Sequence, residues 1–330
     1  MFLCSYFLSF YDKIITLITK GSPTKYTKLR NSEIKIPRIA LGTWVYSGDV
    51  WGKVEETECI QTINTALDLG INMIDTAPIY GYGASEIIIG KAVKPRRKEV
   101  ILATKCGLIG RGADIKHNLS KKSILTEVET SLKRLQTDYI DIYQCHWPDS
   151  NTPIEETMST LLKLKEQGKV RFIGVSNFTS TLLEEAEQYT AISTLQNQYS
   201  ILDRTIETKA LPYTRKHKIN VFCYGPLAGG ILTGKYKTEP EFKGADTRNF
   251  FYKYYHGDVF KKVTQMVDTL RSFGKPLNQV AINWLLAQEG ISTVLVGCRN
   301  VQQLKQNAEA ADWELTSEQL RIIDEQCKII

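Results

Sequence analysis

Past residue 30, short apolar, β-branched runs alternate with longer segments in which apolar positions recur every three or four residues. The short runs are RIALGTW (38–44), INMIDT (71–76), EVILATK (99–105), YIDIYQCH (139–146), VRFIGVS (170–176), STLQNQY (193–199), INVFCYG (219–225) and STVLVG (292–297). Runs of this length and composition, bounded by turn formers, predict buried strands. Helical spacing lies between them. In ECIQTINTALDLG, Ile60, Ile63 and Leu67 share one face and Gly70 supplies a stop. In TPIEETMSTLLKLKEQG, Thr152 is the expected cap, Pro153 suits the first helical position, Glu155 completes a capping box and Gly168 ends the helix. TSEQLRIIDEQ repeats the box with Thr316 and Gln319.

Eight strand–helix units within about 280 residues match the count of a (β/α)8 barrel, which typically takes about 250 residues plus insertions. A doubly wound sheet would carry a GxGxxG turn after its first strand. GLIGRGAD (107–114) lacks that spacing and follows the third run. The expected fold class is therefore α/β, a (β/α)8 TIM barrel, as one domain over 25–330. The segment 229–257 is too long for an ordinary strand–helix connection and reads as a functional loop. The apolar stretch at 1–24 is interrupted by Asp12 and Lys13 and is too short to span a bilayer, so it reads as a non-catalytic N-terminal extension.

Composition narrows the partners. Of 330 residues 42% are hydrophobic, and 42 basic against 36 acidic side chains leave a net charge of +6. No Lys/Arg block points to nucleic acid, whereas a mild positive bias suits a polyanionic small molecule. The seven cysteines are scattered singly without CxxC spacing, which argues against a disulfide framework or a zinc site and for a reducing, cytoplasmic compartment.

Barrel chemistry sits at the C-terminal ends of the strands. Those ends carry Asp75 after the second run, Lys105 at the third and His146 at the fourth, with Tyr80 on the loop beyond Asp75. Singly, a lysine there is a surface charge, a histidine a satisfied packing residue and a tyrosine beside glycines a loop anchor. Together they converge on one mouth. A buried Asp75 needs a partner, and Lys105 on the neighbouring strand reaches it. Lys105 is also expected to lower the phenol pKa of Tyr80 from its usual ~10, and His146 to orient a carbonyl. The set suits protonation of an oxygen that becomes an alkoxide. It offers no nucleophile, and Cys106, Cys145 and His146 match no standard metal spacing.

Hydride delivered to a carbonyl must come from a nicotinamide cofactor, and the remaining strand ends form a bed for one. Ser176 and Asn177 after the fifth run and Gln196 in the sixth are carboxamide partners, and Tyr224 offers a flat face to the ring. Backbone amides of GPLAGG (225–230) suit phosphates, and Arg299 before the last helical segment suits an anion.

From about Lys25 to its end the chain resembles the aldo-keto reductases, on IDTAPIYGYGASE, LATKCG, DIYQCHWPD, GVSNF, YGPLAGGILTGKY and VGCRNVQQLKQN in the family's order. It is most similar to the bacterial general-stress-protein-like, NADPH-dependent branch, through LKRLQTDYIDIYQCHWPD and PIEET. The resemblance implies NADP(H) as cofactor, a catalytic tetrad of Asp75, Tyr80, Lys105 and His146 with Tyr80 as general acid, and reduction of aldehydes or ketones. It implies that Ser176, Asn177 and Gln196 bind the carboxamide and that Tyr224 stacks on the ring. Thr43, Trp44, Gly225, Leu227, Gly230, Gly297 and Cys298 complete the implied cofactor contacts. Arg299, Gln303 and Asn307 match positions that read the adenosine phosphate and adenine, and Lys235 and Arg248 match basic positions that clamp the pyrophosphate. Cys298 departs from the small hydroxyl or alanine that many members carry there. The family also includes cofactor-binding potassium-channel β-subunits, which makes a regulatory subunit the alternative function. Tyr46, Trp51 and Trp147 are expected, with Trp44, to line an apolar substrate pocket.

Overall fold

In the computed structural model, which describes residues 25–48, 51–242, 246 and 248–330, all eight predicted runs form strands. They are β1 (Ile39–Gly42), β2 (Met73–Asp75), β3 (Ile101–Cys106), β4 (Ile140–Cys145), β5 (Val170–Ser176), β6 (Thr194–Gln198), β7 (Asn220–Tyr224) and β8 (Ile291–Gly297). Each pairs in parallel with the next, and β8 closes on β1 to complete a barrel. The extension expected at 1–24 lies outside the described residues.

Strand periodicity divides the barrel into two faces. Ala40, Met73, Ile101, Ala103, Ile142, Phe222 and Leu295 fill the interior as one buried cluster. The alternate residues, among them Leu41, Ile74, Leu102, Tyr143 and Val221, face the surrounding helices in the larger core. The inward row changes character toward the C-terminal end. Two residues beyond Met73, Ala103 and Ile142 stand Asp75, Lys105 and Gln144, so an apolar lower barrel carries a polar upper layer.

A feature absent from the strand pattern closes the bottom. Tyr26–Lys28 and Lys35–Pro37 form an antiparallel hairpin. Its Leu29 and Ile36 are buried and join the interior cluster.

The helices are α1 (Glu56–Asp68), α2 (Ala84–Val93), α3 (Lys121–Leu135), α4 (Ile154–Glu166), α5 (Ser180–Ala186), α6 (Ala210–His217), α7 (Gly257–Arg271), α8 (Leu277–Ala287), α9 (Val301–Ala308) and α10 (Ser317–Cys327). The stop after α1 is as expected, with Gly70 at φ +80°. The reciprocal Thr316–Gln319 box is present at α10. The box expected at α4 is not. Pro153 occupies its N-cap, and Thr152 instead donates its hydroxyl to Asp149 Oδ2 at 2.7 Å. The helix begins one residue later than the box requires, so Thr152 lies outside the N-cap position and Glu155 is not at the third helical position. The long connection after β7 contains 3-10 turns over Ala228–Thr233 and a short helix, Arg248–Phe251.

Candidate active site

The polar upper layer is organised around Asp75. Lys105 Nζ donates to Asp75 Oδ2 at 2.7 Å and to the Thr76 carbonyl at 2.8 Å. The other carboxylate oxygen accepts from Gln196 Nε2 at 2.8 Å and Gln144 Nε2 at 3.4 Å. With side-chain exposures of 0% for Lys105 and 4% for Asp75, the pair is removed from water, and these hydrogen bonds satisfy the charges that burial would otherwise penalise.

Tyr80 completes the group. Its loop turns sharply through Gly81, where a Cβ would lie 2.3 Å from the Ser47 carbonyl oxygen, so only glycine permits this close approach. The turn brings Tyr80 Oη to 3.3 Å from Lys105 Nζ, and the ammonium also lies 4.9 Å from the phenol ring centroid. His146 meets that ring edge-on at 5.8 Å between centroids. Trp44 stacks on it at 6.1 Å. All four residues expected at the mouth are brought together.

The ionisation of the phenol runs opposite to expectation. Burial, reinforced by the Asp75 charge, pushes the Tyr80 pKa well above its ordinary value. The Lys105 charge is largely spent on Asp75, so desolvation wins. Tyr80 therefore holds its proton at neutral pH. His146 is driven well below its ordinary value by burial and by the charge of Lys105, and is neutral. Lys105 itself is lowered by burial, which Asp75 opposes.

Gln144 was missed in the sequence, although it stands two residues before His146 on the same strand face. Space for it comes from Gly174 on β5. A Cβ there would lie 2.1 Å from Thr194 Oγ1 and 2.9 Å from Gln144 Cγ.

The expected cofactor residues fall into three groups. On one side of the mouth, Asn177, left-handed at φ +61°, donates from Nδ2 to the His146 carbonyl and to Ser176 Oγ, both at 3.0 Å. Tyr224 Oη donates to Asn177 Oδ1 at 2.9 Å, which fixes the Tyr224 ring beside the mouth with its residue partly exposed. Gln196 serves Asp75 in this arrangement.

The second group follows β7. Gly225, Gly229 and Gly230 all have positive φ, and Leu227 accepts the Gly230 N–H at 2.8 Å to close the turn. Over Gly230 the space a Cβ would take is met by the side chain of exposed Lys235, with Cε and Nζ both at 3.3 Å. Arg248 pairs with Asp246, donates to Tyr236 Oη at 2.7 Å, and lies over the rings of Phe242 and Trp51 at 4.1 Å and 5.6 Å. A positive-φ glycine turn with the Lys235 ammonium over Gly230 is compatible with a phosphate-bearing group, while a Cβ on Gly229 would meet the Tyr252 ring at 2.7 Å.

The third group follows β8. Gly297 is exposed and pairs in register with Gly42. Arg299 is exposed, its guanidinium donating to the Lys53 carbonyl at 2.6 Å and its N–H to Gln303 Oε1 at 2.9 Å. Asn307 is buried. Its amide donates to Cys298 Sγ at 3.4 Å and accepts from Asn278 at 2.7 Å, so it braces the Cys298 turn from below.

One expectation needs correction. Tyr46 does not line the mouth: at 1% exposure it belongs to the core cluster with Cys59 and Cys298, because the 3-10 turn Trp44–Tyr46 points it inward. Thr43 is also buried, its hydroxyl donating to the Asp75 carbonyl at 2.8 Å and accepting from Ser85 at 2.8 Å, which secures the end of β2. Trp51 does stand at the mouth, edge-on to Trp44 at 5.3 Å, and Trp147 lies partly exposed beside His117 at 6.1 Å. Phe251 also packs edge-on against Trp44, at 5.2 Å.

Known proteins resemble this chain over nearly all of its length. The family model described as Aldo/keto reductase family matches residues 38–328. Aldo-keto reductase YhdN of Bacillus subtilis (strain 168) is 41% identical over 306 residues, spanning 91% of this chain and 92% of that protein. The NADH-specific methylglyoxal reductase of Escherichia coli (strain K12) is 34% identical, spanning 93% and 99%. Among solved structures, the glycerol dehydrogenase AKR11B4 from Gluconobacter oxydans superposes with a TM-score of 0.83 at 35% identity, covering 91% of this chain and 94% of that one.

Proposed function

The chain belongs to the aldo/keto reductase family, and on that premise we propose that it is an NADPH-dependent reductase of small aldehydes or ketones in which Tyr80 is the general acid. One observation carries the reading. Lys105 Nζ touches Asp75, the Thr76 carbonyl and Tyr80 Oη at once, in a barrel mouth where the phenol retains its proton.

A bound nicotinamide supplies hydride to the carbonyl carbon. The chain's own residues manage the oxygen. Tyr80 holds a proton at Oη and gives it to the oxygen as negative charge develops there. Lys105 stabilises the phenolate left behind, and Asp75 holds the ammonium in place with Gln196 and Gln144 behind it. Neutral His146, at the ring edge of Tyr80, donates a hydrogen bond that orients the carbonyl. Trp44, Trp51 and Trp147 exclude water and favour an apolar or ring-shaped substrate.

Asn177 and Ser176 support the carboxamide reading, Tyr224 the ring face, and Lys235 with Arg248 the pyrophosphate. Arg299 supports NADPH over NADH, since an exposed guanidinium fork is suited to a ribose 2′-phosphate. Among the described residues no helix is long and apolar enough to cross a membrane.

The test is steady-state oxidation of NADPH and of NADH by the purified chain with a panel of aldehydes. Turnover with a lower KM for NADPH supports the proposal. Tight cofactor binding without turnover of any aldehyde would favour the regulatory-subunit alternative, and a lower KM for NADH would refute the cofactor assignment.

A further inference from the structure

Beyond Lys105 the chain leaves the barrel at Gly107 and forms a two-stranded hairpin, with Leu108 opposite His117 and Ile109 opposite Lys116. This hairpin bridges the two loops that carry Tyr80 and His146. On one side the Gly112 N–H donates to Tyr82 Oη at 3.0 Å, and the Arg111 guanidinium lies 4.8 Å from the Tyr82 ring centroid. On the other side His117 Nδ1 lies 2.7 Å from the Pro148 carbonyl oxygen, and its ring packs beside Trp147. The hairpin is thus one wall of the mouth.

Its root is held at Gly107 and at Leu119, whose N–H donates to Asp149 Oδ2 at 2.9 Å and whose carbonyl accepts from Thr157 Oγ1 at 3.1 Å. The Gly107 carbonyl accepts from the Asn118 N–H at 3.0 Å, and the Gly107 N–H donates to both oxygens of Glu127, at 3.1 Å and 3.0 Å. Glu127, on α3, also accepts from Ser123 Oγ at 2.9 Å. The reaction outlined above gives this carboxylate no part.

We propose that Glu127 is a positioning residue whose carboxylate, by capturing the Gly107 N–H, sets the hairpin wall against Tyr82 and Trp147 and thereby tunes substrate affinity. The consequence for substrate rests on the reductase reading; the anchoring of the hairpin does not. Lys105 has its own ties to Asp75 and Thr76, so a loosened wall alters KM more than kcat.

The anchor is sensitive to pH. Burial raises the Glu127 pKa to about 7 against the opposing bonds from Ser123 and Gly107, and the Glu86 charge on α2 adds to the rise. Cys106 at the end of β3 and Tyr143 in β4 also face it; burial, together with the Glu127 charge, keeps both in their protonated, neutral forms. The ionised acceptor makes the stronger bond, so the wall tightens as pH rises through about 7 and loosens as pH falls through it.

Amide hydrogen exchange of the full, unliganded chain tests this at about pH 6 and about pH 8, corrected for intrinsic exchange. In the wild type, residues 107–118 should exchange about five-fold faster at the lower pH, the scale of the difference between a charge-assisted and a neutral hydrogen bond. Glu127→Gln should exchange at the fast rate at both. In turnover of 4-nitrobenzaldehyde near pH 8 that variant should show a KM raised about five-fold, with kcat changed little. Equal protection of 107–118 at both pH values in the wild type overturns the pH dependence, and wild-type protection of 107–118 in Glu127→Gln at about pH 8 overturns the anchoring. Normal pH-dependent protection with an unchanged KM overturns the link to substrate. Absence of wild-type turnover counts against the reductase reading, while the exchange data still decide the anchor.

Discussion

Lys105 and Asp75 form an ion pair of 2.7 Å at the top of the barrel, with neither side chain more than 4% exposed. Removing one partner strands the other charge away from water, and such losses cost about 3–5 kcal/mol. Asp75→Ala should therefore lower unfolding stability by about that amount, read from the urea midpoint at constant slope. A change under about 1 kcal/mol would mean that water reaches Lys105.

The second prediction concerns pH. Tyr80 is raised by burial and by Asp75, so it keeps its proton below that raised pKa. His146 is lowered by burial and by Lys105, so it is uncharged above its lowered pKa. Neither changes charge between about pH 6 and about pH 8, and kcat for reduction should be flat across that window. A kcat profile with a midpoint near neutrality that persists in Glu127→Gln would show that one of these two groups titrates there.

Gly174 links packing to the site. With a Cβ placed 2.1 Å from Thr194 Oγ1 and 2.9 Å from Gln144 Cγ, Gly174→Ala must displace one or both. Overpacking of this kind costs about 1–3 kcal/mol, and Gln144 would lose its contact with Asp75. The expected result is a lower melting temperature together with reduced kcat. Wild-type values for both would show that β5 can shift without disturbing Asp75.

The barrel floor makes a prediction about the N-terminus. Leu29 and Ile36 seal the lower interior, so a chain beginning at Lys25 should retain the melting temperature and activity of the full chain. Starting at Pro37 instead removes both side chains, each worth about 1.5–3 kcal/mol of burial, and should leave the barrel unstable. A marked loss on the first truncation would place residues 1–24 within the folded unit.

The barrel was legible because short apolar, β-branched runs and helix stops are local signals. EVILATK reads as a buried strand in the sequence, and Ile101–Cys106 is β3 in the structure. The floor hairpin was not legible, since two three-residue strands carry no period. Tyr46 was misplaced for a related reason: within a single 3-10 turn, spacing does not tell which side chain points inward. Gln144 was hidden by chemistry, being an amide among titratable residues. The phenol pKa was misjudged because its proximity to Lys105 can be read from strand order, whereas desolvation depends on packing that the sequence does not display.

The central claim is that Tyr80 donates the proton. Tyr80→Phe keeps the ring beside Trp44 and His146 and removes only Oη, so the cofactor bed is untouched. With NADPH and 4-nitrobenzaldehyde, kcat of this variant should fall at least ~100-fold, the scale of a lost general acid, while the Kd for NADPH stays within about two-fold of wild type. Turnover near the wild-type rate would contradict the assignment and move the proton donor to His146 or to water.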